Sequence, residues 1–544
     1  MAALNVRVER ITSPTSKTAS PSNPPQPPHH VIPAPSLLSK ATSSSGWASY
    51  LPSWDPSPAE TRPAATKREV AGFRNPWPSW RKPTRTEVWD SMQWGEDEDP
   101  CIALATSHLS DMPAPPSPQD KTKLPRFSDI DDWPNSTGAK AARLLSIQDP
   151  DFSFTTPAQS TPKAKATWLG HAGVLVQLLP LAPSSRPIRC LFDPIFSMRC
   201  SPSQAAGPIR SYPPPCEVRD LPPIDAVMIS HNHYDHLDFD TIKSIWEHHS
   251  STVHFFVPLN NRPWFVTCGI PLDRVTELDW WESAHLTSPN TPTTTTASLK
   301  IWCTPAQHSS GRSGNDANCT LWSSWYLEHL PSASKPYRVF FAGDTGYQFH
   351  GSPSWPPAPP TSKPNNPNPN KDMKDKDDDN NKTSPPCPAF AEIRTRLGTP
   401  HLLLLPVAVG ATYAYLRSLV PLPDWISPVP RHSPGLAAAT HMPPWDAARV
   451  LNVMAGKEST VEGRDEEEEE KEEGAVAIAM HWGTFVTEPV GVLKTLGELE
   501  WACAAQGVRF ARSLEGLDGD EDGMSGSGRE LCFLAVNHGE SVSL

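Results

Sequence analysis

The sequence predicts an α/β domain that begins near residue 165 and is preceded by a long tail too polar to fold, and three observations carry this. From 165 onward, short apolar runs alternate with turn residues and amphipathic stretches, as strands interleaved with helices require. Several of those runs end on His or Asp, where an α/β scaffold opens side chains onto a shared cleft. Residues 1–65, by contrast, are rich in Pro and Ser and hold too little apolar surface to offset chain entropy.

Taken in order, 1–65 reads as a disordered tail, and 66–164 as an extended aromatic wrapping segment followed by a polar linker. In "FRNPWPSWRKPTRTEVWDSMQW" (73–94) the prolines argue against helix, and Trp77, Trp80, Trp89 and Trp94 offer anchors for wrapping on a core. From 165 to 544 lies the domain. Strands are expected at 166–179, 188–193, 225–230, 253–258, 299–305, 321–328, 337–344, 401–407 and 474–482. Helices are expected at 239–249, where Ile242, Ile245 and Trp246 share a face, at about 443–455, and at 489–506. Polar or Pro-broken insertions near 288–298, 351–388, 410–440 and 457–474 fall between these elements, so they read as surface excursions.

Composition narrows the function. Of 544 residues 65 are Pro and only 37% are hydrophobic, which fits one large domain with long decorations. The formal charge of −13 is concentrated: "EGRDEEEEEKEEG" (462–474) holds nine acids against two bases. No basic stripe exists to grip nucleic acid. Ten cysteines without a C-x-x-C pair argue against a disulfide framework and a Cys zinc site. No apolar leader or run of about 18 apolar residues is present, so the expected location is cytoplasmic and peripheral to a membrane. The Ser-, Pro- and Thr-rich, acid-poor leader is also compatible with mitochondrial transit.

The densest chemistry is "SHNHYDHLD" (230–238), where His231, His233, Asp235 and His236 share one short loop. Positions i and i+2 can converge on one ion while i+4 and i+5 turn toward a second, and imidazole with carboxylate is the ligand set of catalytic zinc. A single loop cannot complete two sites. His308 in "TPAQHSSGR", Asp344 in "FAGDTGY" and His481 in "MHWGTF" each follow an apolar run, which brings the ligands to seven. Two four-coordinate metals need that number if one carboxylate bridges. A lone His after a strand is ordinarily a satisfied polar residue, but four such ligands in six positions have no packing rationale. His29, His30, His248 and His249 read as ordinary solvated residues, and His171 and Asp193, at strand ends on the same edge, as supporting residues.

At these residues the chain resembles the metallo-beta-lactamase superfamily, and within it the N-acyl-phosphatidylethanolamine-hydrolysing phospholipase D family. The narrower resemblance rests on "FRNPWPSW" (73–80), "TWLGHAGVLVQ" (167–177), "FDPIFSMRCSPSQAAGPIRSYPPP" (192–215), "LPPIDAVMISHNHYDHLD" (221–238), "ELDWWE" (277–282), "HMPPWDAARVL" (441–451) and "MHWGTF". It implies an αβ/βα four-layer sandwich with two Zn2+ ions at one edge. By that likeness His231, His233 and His308 hold the first zinc, Asp235, His236 and His481 the second, and Asp344 bridges them. Tyr234 and His441 contact the lipid head group, and Asp235, Asp344 and His441 take part in catalysis. The implied reaction is hydrolysis of N-acyl-phosphatidylethanolamine to N-acylethanolamine and phosphatidic acid, by water activated at the metals. The phospholipid would be met at a membrane surface, with Trp77 and Trp80 or 413–426 as interfacial patches, and a homodimer is compatible with this. The Pro-broken, aromatic stretch 404–440 departs from the family's shorter link and lies beside His441, which leaves substrate choice open.

Three alternatives stay open at this level. The metal loop alone also suits a hydrolase of lactones, sugar phosphates or other phosphodiesters. A lipid-binding protein retaining a metal site without turnover is a second. Iron in place of zinc, with redox chemistry, is a third, because the ligand set does not fix the metal.

Overall fold

Along the middle strands of one sheet, side chains alternate so strictly that they sort into two separate cores. Val174, Val176 and Leu178 join one core and Leu175 the other; Cys190, Phe192, Ala226, Met228 and Phe256 follow the first set, Leu191, Val227, Phe255 and Val257 the second. The first core fills the space between this sheet and a second and continues under the helices packed on that second sheet, and the second core lies under helices on the outer face of the first sheet. The computed structural model describes residues 3–10, 31–33, 70–90, 99–110, 123–127, 135–154, 163–181, 185–288, 297–313, 315–331, 335–350, 384–409, 426–430, 439–457, 474–514 and 531–544, with single positions 92, 94 and 416.

In chain order the strands are β1 (Asn5–Glu9), β2 (Val31–Pro33), β3 (Val70–Phe73), β4 (Ala164–Gly170), β5 (Gly173–Leu178), β6 (Ile188–Phe192), β7 (Ala226–Met228), β8 (His254–Pro258), β9 (Val275–Leu278), β10 (Ser283–Thr287), β11 (Ser298–Thr304), β12 (Ser324–Leu330), β13 (Tyr337–Phe341), β14 (Leu402–Pro406), β15 (Val476–Met480), β16 (Arg509–Ala511), β17 (Cys532–Leu534) and β18 (Ser541–Ser543). The helices are α1 (Arg85–Asp90), α2 (Cys101–Ser107), α3 (Thr137–Leu144), α4 (Phe239–His249), α5 (Arg262–Thr267), α6 (Ala389–Leu397), α7 (Pro444–Met454) and α8 (Val490–Ala505).

One sheet runs β1-β10-β11-β12-β13-β14-β15-β17-β16 and the other β18-β4-β5-β6-β7-β8-β9. Each is antiparallel in its first part and parallel in its second: the change falls at β13/β14 and at β6/β7. The parallel steps return through helices, α4 between β7 and β8, α6 before β14 and α7 before β15. These are the two mixed sheets with helices of an αβ/βα sandwich. The sheets meet where Phe192 stacks on Phe341 at 4.7 Å.

Several local expectations change. The apolar run 166–179 is a hairpin, because Gly170 (φ 101) and His171 (φ 51) turn the chain inside it. β1, placed by its sequence in the polar tail, pairs with β10, and its alternating Asn-Val-Arg-Val-Glu lays Val6 and Val8 on the core. Lys300 and then His285 hold the Glu9 carboxyl down at about 2, which fastens this edge strand. α1 forms within the Pro-containing segment because it starts past the last proline on a capping box: Glu87 N–H donates to Thr84 Oγ1 (3.2 Å) and Thr84 N–H to Glu87 Oε2 (2.7 Å). Trp89, expected as an anchor, is 68% exposed. Trp77 is buried instead, stacked on Trp280 at 5.4 Å, so it cannot also dip into a membrane interface. His249, expected on a solvated face, is buried under α4 with Nε2 3.4 Å from the Val218 carbonyl. The cores of the insertions fall outside the described residues.

Trp325 shows what the inter-sheet packing is worth. It is wholly buried in β12, and its indole N–H donates to the Ile229 carbonyl (3.1 Å), tying one sheet to the loop that follows β7 in the other. Trp325→Ala should lower unfolding free energy by about 3–5 kcal/mol, measured by denaturant titration.

Candidate metal centre

The strand ends build the site. After β7 the chain folds into a single turn, with Leu237 N–H donating to His233 O (2.9 Å) and His236 N–H to the same oxygen (3.2 Å). Asp238 then caps α4 by accepting from Thr241 N–H (3.1 Å). The loops after β11, β13 and β15 bring His308, Asp344 and His481 to the same edge.

Three ring nitrogens converge first. His231 Nε2 lies 2.8 Å from His233 Nδ1, and His308 Nε2 lies 3.2 and 3.3 Å from these two. Burial above all holds the three imidazoles below the ordinary histidine range, and because His231 and His308 spend their Nδ1–H on the Ser230 hydroxyl oxygen and the Thr440 carbonyl, their Nε2 atoms face each other as acceptors. A cation between them is the natural partner. Beside this triad, Asp235 Oδ2 lies 3.5 Å from His236 Nε2 and 3.6 Å from His481 Nε2. Asp344 faces both groups: Oδ1 is 3.0 Å from His481 Nε2, and Oδ2 is 3.1 Å from His236 Nε2 and 3.8 Å from His308 Nε2.

Electrostatics agree with this division. Burial opposes charge on Asp235 and Asp344, yet His236 above all keeps both carboxyls well below the usual range. Burial likewise opposes charge on His481 and His236, but Asp344 and Asp235 override it, taking His481 up to about 9 and His236 above its usual value. Two carboxylates this close together, one of them buried, favour positive charge beside them. Among the described residues His236 Nε2, His481 Nε2 and Asp344 Oδ1 are buried without a hydrogen-bond partner of acceptable geometry, as ligand atoms around a common point are. Nitrogen and oxygen donors of this kind suit two divalent cations.

A supporting layer fixes the ligands. Asp193, fully buried, accepts from Ser230 N–H (2.7 Å) and from His236 Nδ1 (2.7 Å), and takes the Ser230 hydroxyl, whose oxygen lies 2.9 Å from His231 Nδ1. One carboxylate thus orients a histidine of each group. His171 Nε2 is 3.0 Å from Asp235 Oδ2, and its carbonyl accepts from His481 N–H (2.9 Å). His171 (φ 51), Asp193 (φ 34) and His481 (φ 60) all take left-handed backbone at this edge, a conformation held only by surrounding structure. Gly343 (φ 61) must be glycine, since a Cβ there would meet Ser230 Cβ at 2.6 Å.

The two residues expected to meet substrate are placed differently. His441 stands at the mouth, its Nε2 3.3 Å from Asp344 Oδ2. Tyr234 lines a cavity of about 290 Å³ with Gln204, Asp238, Phe239, Trp264 and Arg312, its hydroxyl donating to the Arg312 carbonyl (3.1 Å). His441 does not line that cavity. The sequence did not single out Asn75 or Arg312. Asn75 clasps His308 through a reciprocal pair, Nδ2 to His308 O (2.7 Å) and His308 N–H to Oδ1 (3.1 Å). Arg312 stacks on Tyr234 at 3.9 Å and donates to the carbonyls of Asn232 (2.9 Å) and Leu237 (2.8 Å), stapling the ligand loop. No spacing signal marks either residue, because both act on backbone of distant segments.

Residues 188–350 match the beta-lactamase superfamily domain. The chain is 41% identical over 185 residues to N-acyl-phosphatidylethanolamine-hydrolyzing phospholipase D 1 of Caenorhabditis elegans, covering 34% of this chain and 47% of that one. It is 36% identical over 160 residues to the mitochondrial N-acyl-phosphatidylethanolamine-hydrolyzing phospholipase D of Saccharomyces cerevisiae, covering 29% and 31%. The matches therefore span less than half of these relatives' own length. Among solved structures, CmlA, a diiron beta-hydroxylase from Streptomyces venezuelae, superposes with a TM-score of 0.31 at 16% identity over 61% of this chain and 47% of that one, too weak a likeness to carry weight.

Asp193→Asn keeps the shape but removes the charge that orients His231 and His236. It should lower metal retention against a chelator about 10–100-fold, read by metal analysis after dialysis, with the circular dichroism spectrum unchanged. The match over 188–350 takes in His231, His233, Asp235, His236, His308 and Asp344, and the same residues meet in space with His481; on that agreement the chain carries a metallo-beta-lactamase superfamily domain.

Proposed function

We propose that the protein is a zinc-dependent phosphodiesterase of phospholipase D type, hydrolysing N-acyl-phosphatidylethanolamine to N-acylethanolamine and phosphatidic acid. One observation carries the reading: two ligand groups share Asp344, whose oxygens lie 3.0 and 3.1 Å from His481 and His236 and 3.8 Å from His308. In it His231, His233 and His308 would hold one cation and Asp235, His236 and His481 the other, with Asp344 facing both groups. When bound, the pair supplies Lewis acidity, activating a water and neutralising charge on the phosphoryl oxygens.

The chain's own residues do the rest. Asp235 and Asp344 remain ionised and orient the attacking water. His441, 22% exposed in its side chain and 3.3 Å from Asp344, is poised at the mouth to give a proton to the departing alkoxide of N-acylethanolamine. Tyr234, steadied by Arg312, presents an aromatic face beside the metal edge for the substrate. The sequence relatives that carry the phospholipase D name support the substrate, and they do so over about a third of this chain.

A phospholipid is met at a surface, and among the described residues no helix is long and apolar enough to cross a membrane. Of the stretch 413–426 only Leu416 and Ile426 are described, and both are exposed, at 41% and 46%. This supports peripheral contact through that stretch. Deleting 411–432 should weaken liposome co-sedimentation while a soluble phosphodiester is still cleaved; unchanged sedimentation would dismiss that contact.

The deciding assay offers N-acyl-phosphatidylethanolamine in mixed micelles to the zinc-loaded protein and measures phosphatidic acid and N-acylethanolamine. His233→Ala should bring product formation to background. Cleavage of other phosphodiesters alone would refute the substrate assignment and retain the superfamily.

A further inference from the structure

Gln307 is wholly buried and engages its four polar groups with three separate stretches of chain. Its backbone N–H donates to Thr345 Oγ1 (3.0 Å), and its carbonyl accepts from Gly346 N–H (2.8 Å), so it is locked to the two residues that follow Asp344. Its side-chain amide donates to the Ala439 carbonyl (3.0 Å), and its side-chain oxygen accepts from the Ser79 hydroxyl. The amide orientation is fixed by chemistry: the Ala439 carbonyl can only accept, so nitrogen must face it and oxygen must face Ser79. Next to Gln307, His308 Nδ1–H donates to the Thr440 carbonyl (2.8 Å). The two residues before His441 therefore hang from 307 and 308, and the Gln307 amide is itself held by the 73–80 segment.

That segment is well rooted. Asn75 clasps the His308 backbone, Trp77 stacks on Trp280, and Arg81 lies 3.9 Å above the Phe349 ring. His441, by contrast, has a shallow attachment of its own: Thr440 Oγ1 lies 3.1 Å from its Nδ1 and Asp344 Oδ2 3.3 Å from its Nε2. We propose that Gln307 is a positioning residue for His441, its side-chain amide holding the Ala439 carbonyl and Ser79 holding that amide, so that the imidazole stays at the mouth of the metal edge. This rests on the reading that His441 meets the substrate.

The test is a double-mutant cycle on the full-length, metal-loaded protein with N-acyl-phosphatidylethanolamine. Gln307→Ala should lower kcat/KM about 10–100-fold while two metals per chain are retained, because His231, His233 and the Asn75 clasp on His308 are untouched. His441→Ala should lower it comparably. The double variant should be scarcely worse than His441→Ala alone, since residues acting as one unit do not add. Ser79→Ala, which removes one hydroxyl and is the gentler change should Gln307→Ala misfold, should give a smaller loss in the same direction. A crystal structure of the metal-loaded Gln307→Ala or Ser79→Ala variant should show the His441 ring displaced from Asp344. Multiplying losses in the cycle, loss of metal in step with activity, or an unmoved His441 would overturn the proposal. If the wild-type protein leaves the lipid intact, the proposed function falls, and the His441 position in the variant crystals still decides this inference.

Discussion

Two carboxylates set among a cluster of imidazoles, Asp344 buried and Asp235 partly so, are the constraint around which the rest of the molecule is arranged. Burial would raise the Asp235 and Asp344 carboxyls, yet His236 above all holds them well below the usual range, and burial depresses three neighbouring imidazoles. Bringing these groups so close costs free energy unless charge balances it. Cations would serve both groups at once, and the backbone that gathers the groups is held in unusual conformations at one edge. Left-handed turns at His171, Asp193 and His481 aim side chains that ordinary strand ends would direct elsewhere.

The sandwich makes that edge possible. Each sheet changes from antiparallel to parallel pairing partway across, so parallel strands from both sheets finish at the same side. Asp193 and Ser230 leave neighbouring strands of one sheet and Asp344 and His481 leave strands of the other. The centre is thus an inter-sheet object. Its ligands cannot be brought together by either half, and the Trp325 bond to Ile229 shows the two halves joined one residue from the ligand loop.

Much of this was legible in the sequence, for identifiable reasons. Candidate ligands stand out when an ionisable residue follows a long apolar run, as His308, Asp344 and His481 do, and long strands are visible by their apolar runs. The hairpin at His171 was not, because the apolar run continues through the turn and only the backbone angle betrays it. Short strands such as β1 and β16 owe their state to a neighbour and carry little signal of their own. Asn75 and Arg312 were silent for a deeper reason. Each shapes the centre through a carbonyl or amide of a remote segment, and main-chain atoms are the same in every residue.

The clasp between Asn75 and His308 spans 233 positions, and that separation has a temporal meaning. During synthesis the 73–80 segment leaves the ribosome long before the loop that receives it exists. Phe73 and Trp77, both buried in the finished molecule, face water through most of that interval. The stretch therefore has the chemistry of a chaperone client while translation proceeds. Its docking also closes a loop spanning 233 positions, so this part of the candidate metal edge is assembled only after a long stretch of chain has folded back on the segment.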